Sequence, residues 1–339
     1  MRFRDLVATF GSPVHAWDAV SPSSDRGAAT ESASGAIERA RCAGARLIAS
    51  GEDAYPLRLG ELHDPPPVLF AIGALECLRE PCVAIVGTRR ATSYGERVTF
   101  EVAGALARAG VTVISGMARG IDGVAHRAAL AAGGRTVAVL GTGVDVAYPI
   151  EHRALHAEIA DRGLLLSEEL PGDRASGGSF PKRNRIIAAL ATALIVIEAP
   201  HRSGALITAT HALELNRIIA AVPGPIDVPQ SAGSNLLLRD GAIIIAEVAD
   251  ALALVGATGP AALACARDEA PSFTDPGQRA VWSALESPAC DLDALAARAS
   301  LPARKCLAAV SALELAGAIE CALTGEIRRR GGMARASMH

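Results

Sequence analysis

The sequence predicts an α/β fold: an extended Rossmann-like, doubly wound, mostly parallel sheet, with a small N-terminal helical domain and a C-terminal winged-helix domain. Three observations carry this. Short runs rich in β-branched residues alternate with amphipathic stretches between residues 82 and 245. These runs are apolar throughout, as in strands covered by helices on both faces. The C-terminal stretch holds three helical patterns and then a hairpin pattern.

Residues 1–78 are weakly patterned and are read as the helical domain. They contain "YPLRLGELHDPPPVLFAIG", in which Pro65, Pro66 and Pro67 forbid a continuing helix. Residues 79–250 form the core. Its predicted strands are "CVAIVG" (82–87), "VTVIS" (111–115), "TVAVLG" (136–141), "LLLSE" (164–168), "ALIVIE" (193–198), "IIAAV" (218–222) and "AIII" (242–245). Helical stretches at 94–109, 122–132, 150–162 and 203–216 separate most of them. Residues 251–275 lack a strong period and are read as a linker. In the winged-helix unit, 276–328, Asp291 suits a helix N-cap and Pro302 the first turn of the third helix. Residues 329–339 are a basic tail, expected to fray.

Half of the 339 residues are hydrophobic and 20% are charged, which suits globular domains. The net charge is −3, so anion binding has to come from local clusters. Aromatic residues make up only 3%, against binding that relies chiefly on rows of stacked rings. Seven cysteines without a C-x-x-C pair read as reduced thiols of a cytoplasmic protein. No signal peptide, membrane span or cofactor is expected.

Ligands of a doubly wound sheet sit beyond the carboxyl ends of its strands. Four such regions are unusual here. In "VGTRRATSYG" Gly87 ends a strand and Arg89 and Arg90 precede a helix starting near Ser93, a phosphate-cradle pattern without a P-loop sequence. In "SGMARGIDGVAH" Ser115 ends a strand, Gly116 and Gly120 flank Arg119, and Asp122 is placed to cap the next helix. "GTGVDVAYP" does not complete a dinucleotide fingerprint. The fourth region joins "SFPKRNRIIAAL", with Lys182, Arg183, Asn184 and Arg185, to "EAPHRSGALITATHAL", with Ser203 and Gly204 at a helix start.

Cations at a helix N-terminus oppose its dipole, so the Lys182–Arg185 cluster is read as facing solvent to hold a polyanion. His152 and His156, spaced i, i+4, lack a third ligand and are read as a solvated helix face. Glu168 and Glu169 are read as holding nearby arginines.

Taken together, "VAIVGTRRATSYGERVT", "VISGMARGIDGVAHRAAL", "VAVLGTGVDVAYP", "LLLSEELPG", "FPKRNRIIAAL", "IVIEAPHRSGALITATHAL", "AVPGPID" and "GSNLLLRDGA" resemble the DNA-processing protein A family (DprA, or Smf). The match runs over residues 50–245, and the final "LELAGAIE" resembles the winged-helix end of many members. The resemblance implies a dimeric single-stranded DNA-binding mediator without a catalytic step. It would load the RecA recombinase onto incoming strands in natural transformation and protect them. Motif positions imply DNA contact through Gly87, Arg89, Ser115, Gly116, Arg119, Gly120, Lys182, Arg183, Asn184, Arg185, Ser203 and Gly204. The alternative is a nucleoside-monophosphate phosphoribohydrolase of the lysine-decarboxylase-like (LOG) group. "HRSGALITATHAL" lacks the glutamate that such enzymes need.

Overall fold

The computed structural model describes residues 23–79, 81–257, 275–285, 291–315, 318–321 and 327–329. Strands β1 (Arg46–Ala49), β2 (Val68–Gly73), β3 (Cys82–Val86), β4 (Thr112–Ser115), β5 (Thr136–Leu140), β6 (Leu164–Ser167), β7 (Ala193–Val196), β8 (Ile218–Ala221) and β9 (Ile243–Ile244) form one nine-stranded sheet. Its order is β1-β2-β6-β5-β4-β3-β7-β8-β9. The strands from β3 to β9 pair in parallel, while β1 and β2 join antiparallel at the β6 side.

All seven strands expected from the β-branched runs are present. The two at 46–49 and 68–73 differ from the expectation of a purely helical segment before residue 79. They are short, and one follows directly on the Pro65–Pro67 run, so neither shows a clear period. Of the helical expectation there remain the helix α1 (Ser23–Cys42) and two 3-10 turns, Leu57–Glu61 and Leu75–Leu78, among the described residues.

Alternation along each strand feeds two cores. Val83 and Ile85 point into one, with helices α2 (Ser93–Arg108) and α3 (Ile121–Ala131). Ala84 and Val86 point into the other, with α5 (Ser179–Leu190) and α6 (Gly204–Glu214). Between β5 and β6 lies α4 (Arg153–Arg162). After β8 come α7 (Ala232–Arg239) and α8 (Val248–Ala253), so the expected linker begins inside a helix and its remainder lies mostly outside the described residues.

The chain leaves β3 for β4, β5 and β6 on one side, then returns to β7 on the other side of β3. The β3/β7 boundary is therefore the topological switch point, where the loops above the two strands diverge and open a crevice.

The winged-helix elements follow the expected order: α9 (Pro276–Ala284), α10 (Leu292–Arg298), α11 (Ala303–Leu315) and the antiparallel pair β10 (Ile319–Cys321) and β11 (Ile327–Arg329). Asp291 caps α10 by accepting from the Ala294 N–H at 2.7 Å. Trp282, Leu295, Val310 and Ile319 share its core. The residue-330–339 part of the basic tail lies outside the described residues.

A buried histidine links stability to pH. His126 is fully buried, and its Nδ1 lies 2.7 Å from the Thr136 hydroxyl, which itself donates to the Val113 carbonyl. Nδ1 must therefore carry the hydrogen, and Nε2 is left bare without a partner. Burial pushes the pKa down to about 3, with His152 and Arg183 adding to the shift. The unfolded chain takes up this proton near pH 6.5 and the native protein does not until about pH 3. Stability is thus full above pH 6.5 and falls with acid by up to about 1.4 kcal/mol per pH unit. Urea midpoints measured from pH 7 to pH 4 should fall more steeply for the wild type than for His126→Asn.

Candidate nucleic-acid interface

A cleft of about 340 Å³ opens at the switch point, above the carboxyl ends of β3 and β7. Its walls are the 86–90 loop, Ala118 and Asp122 from the β4–α3 loop, the first two turns of α5, and the start of α6. A smaller recess of about 200 Å³ adjoins it, sharing Arg89, Arg90 and Phe180 and adding Gly116, Arg119 and Tyr148.

Arg183 is on the floor. It is only 5% exposed, which overturns the expectation that it faces solvent. Helix α5 starts at Ser179, so Lys182–Arg185 lie beyond its first three residues, where the dipole penalty has faded. Within the helix, Arg183 shares the i, i+3, i+4, i+7 stripe with Ile186, Ile187 and Leu190, all buried. That spacing was readable in the sequence. The guanidinium lies on the Gly116 backbone and donates to the Val139 carbonyl. Among the described residues it makes no ion pair within 4 Å, and its Nε has no partner. Burial pulls its pKa down to about 10; Asp122 opposes the shift and Arg89 adds to it.

Arg185, 8% exposed, faces away from the cleft and donates to both Glu168 oxygens at 2.8 and 3.0 Å. It too was expected at the surface; its charge instead belongs to an ion pair. Lys182 is half-exposed and 3.4 Å from the same carboxylate. Glu168 thus holds Arg185, as expected, and Lys182 as well, whereas Glu169 makes no ion pair among the described residues.

Two of the loop cradles are filled by the protein's own carboxylates. Asp122 does not cap α3. It is buried and accepts from the Gly116 and Ala118 N–H groups at 3.2 and 3.3 Å. Burial raises its pKa, opposed by Arg183 and these hydrogen bonds. Glu198, 2% exposed, accepts from the Thr92 N–H at 3.0 Å and from the Thr92 hydroxyl, and so sits at the start of α2. Its main-chain oxygen accepts from the Thr88 N–H at 2.7 Å, which anchors both ends of the Arg89–Arg90 loop. The start of α6 is different. Ser203 makes no side-chain cap bond, its buried Oγ has no partner, and nothing lies within 4 Å of a Cβ placed on Gly204.

The remaining expected residues fall into place by packing. Ser115 is fully buried and donates to the Ile85 carbonyl at 2.6 Å, beneath the cleft. Asn184 donates to the Gly204 carbonyl at 3.2 Å, tying α5 to α6. Gly87 lines the cleft, and a Cβ there would meet Ile121 and the Glu198 oxygen. Gly120 has φ +72°, and a Cβ there would meet Arg89 at 2.9 Å. Arg119 is in the recess and pairs with Glu151.

Sequence reasoning passed over the aromatics. Phe180 and Tyr148 sit together at the lip, ring centroids 5.2 Å apart, and the Arg89 guanidinium lies 5.3 Å above the Phe180 ring. Phe180, Arg183, Asn184 and Ile187 share one helix spacing and all line the cleft. His152 and His156 are not solvated. Their rings point at the Met117 and Val144 carbonyls, each at 3.0 Å. Among the described residues no group of three or more His, Cys, Asp or Glu could hold a metal ion.

The family model of DNA recombination-mediator protein A matches residues 46–256. The chain belongs to that family. The model of the DprA winged helix domain matches residues 266–322. The putative DNA processing protein DprA of Mycobacterium tuberculosis is 41% identical over 293 residues, covering 82% of this chain and 75% of that protein. Protein Smf of Synechocystis is 46% identical over 207 residues, and the match spans only 52% of its length and 60% of this chain. The X-ray structure of Streptococcus pneumoniae DprA aligns with a TM-score of 0.60 at 41% identity, over 62% of this chain and 74% of that one. A Helicobacter pylori DprA structure, described for its single-stranded DNA binding mode, aligns with a TM-score of 0.55 at 32% identity, over 60% of this chain and 92% of that one. No helix among the described residues is long and apolar enough to cross a membrane.

The glycines separate packing from access. A Cβ at Gly116 would lie 2.6 Å from Arg183 Cζ. Gly116→Ala should therefore cost about 1–3 kcal/mol in urea unfolding, whereas Gly204→Ala should leave the midpoint within error.

Proposed function

We propose that this chain is a single-stranded DNA-binding recombination mediator and that the switch-point cleft holds the strand's backbone. The observation that carries the reading is Arg183. A guanidinium taken out of water costs several kcal/mol unless an anion offsets it, and this one lies in the cleft without an ion pair among the described residues, offset only in part by Asp122. Across from it, the start of α6 offers N–H groups and the unpartnered Ser203 hydroxyl, which together favour a phosphate. Arg89 and Arg90 line the same space.

Three features favour a single strand. The cleft volume is at the small end of ligand pockets, so a splayed backbone enters it and a double helix does not. Tyr148, exposed at the lip beside Phe180, offers a ring to an unpaired base. The Helicobacter pylori relative is described by its single-stranded DNA binding mode. The family reading adds the finer steps: delivery of the strand to the RecA recombinase, protection from nucleases, and use in natural transformation.

We also assign a homodimer to the β9 edge. Ile243 and Ile244 are half-exposed on an unpaired edge strand, and Ile226 and Leu213 are exposed. An open apolar edge is most simply covered by a second copy of itself.

Fluorescence anisotropy with a labelled oligo-dT checks the first reading. With about four phosphates neutralised, log K should fall with log salt at a slope near −3. Arg89→Ala with Arg90→Ala should flatten the slope by about 1.4. A flat salt response, or equal affinity for duplex of the same length, overturns the assignment. For the dimer, light scattering should give a two-chain mass that falls to one chain in Ile226→Asp/Ile244→Asp; a one-chain wild type refutes it.

A further inference from the structure

The recess beside the cleft gathers Arg89, Arg90 and Arg119, yet Arg119 is not free. Its Nη2 is ion-paired with Glu151, and the two side chains are 61% and 55% exposed. A carboxylate at the mouth of an anion site repels the ligand and occupies the guanidinium that would greet it.

The pair is held by the fold on both sides. Glu151 belongs to the single 3-10 turn Ile150–His152. The neighbouring His152 donates from Nδ1 to the Met117 carbonyl, which joins this turn to the Arg119 loop. Met117 is buried and held at φ +61°, a backbone region rarely used by a non-glycine residue. Asp122 fixes the N–H groups on either side of it. Gly120, with φ +72°, packs against the Thr88–Arg89 backbone. Arg119 and Glu151 therefore stand opposite each other on two loops pinned together, at a position shared with the ligand.

The geometry points to Glu151 as a specificity-determining residue: an internal competitor for phosphate at Arg119. The inference rests on the single-strand reading above. A short anion gains too little from Arg119 alone to displace Glu151. A strand already held by Arg183, Arg89 and the α6 start brings its next phosphate to Arg119 at high local concentration, and does displace it. The carboxylate thereby makes affinity depend on strand length, rejecting free nucleotides and very short ends.

The test is a double-mutant cycle with labelled oligo-dT of several lengths, read by anisotropy at low salt. Glu151→Gln keeps the size of a surface side chain and removes its charge. It should tighten binding of long strands by up to about fivefold, steepen the salt slope by up to about 0.7, and lower the shortest length that binds. Arg119→Ala should weaken long strands more than very short ones and should abolish the gain in the Glu151→Gln background. Unchanged or weaker binding by Glu151→Gln, with normal wild-type binding, overturns this inference and leaves the function intact. A gain that survives Arg119→Ala also overturns it. A wild type without salt-dependent binding to single strands overturns the functional reading and this one with it.

Discussion

The arrangement of the cleft depends on one buried cation. Arg183 is placed where a hydrophobic residue would otherwise fit, on the inward stripe of α5 with Ile186, Ile187 and Leu190. Its guanidinium rests on Gly116, where any side chain would collide with it, and is fixed by the Val139 carbonyl. One residue thus ties α5 to the ends of β4 and β5. Because the protein supplies it no direct counter-ion among the described residues, the fold keeps an electrostatic demand that an incoming anion can meet. Desolvation is the reason such a contact would be strong: the charge interacts through a poorly screening medium instead of water.

Asp122 and Glu198 explain why this demand does not collapse the loops around it. Both are buried carboxylates that accept from backbone N–H groups, Glu198 also from the Thr92 hydroxyl, in place of a side-chain cation. They occupy the two nests that a phosphate could otherwise take, at the Gly116–Ala118 turn and the start of α2. That leaves the start of α6, where the Ser203 hydroxyl has no such partner, as the open one of the three. Filling two of three similar sites from within selects the third and fixes the Arg89–Arg90 loop beside it.

Much of the core was legible because its strands are buried on both faces, which produces continuous β-branched runs from "CVAIVG" onward. β1 and β2 were not, since four- and six-residue strands beside a proline run carry little period. At the site, the glycine- and arginine-bearing loops were legible as loops, and Arg89, Arg183, Ser203 and Gly204 do meet around one cleft. The direction of each side chain was not. Arg183 and Arg185 are two residues apart on one helix, and helical geometry sends one into the cleft and the other to Glu168. Charge alone suggested that both face water; the spacing to Ile186 and Ile187 held the better answer. Phe180 and Tyr148 escaped notice because a low overall aromatic content says nothing about where the few rings sit.

The site therefore divides its cations by how they are held. Arg183 is immobilised and desolvated, so a phosphate seated on it would be screened little by salt. Arg89, Arg90 and Arg119 lie nearer solvent, where ionic strength and competing carboxylates act on them directly. A backbone seated on the floor alone would be held at one point. Grip along a strand has to come from the rim, where each contact is individually weak and several must form together. On the single-strand reading proposed above, weak rim contacts around one strong floor contact would let a strand bind firmly while individual phosphates release and rebind. A site built only from buried arginines would hold the strand and not give it up.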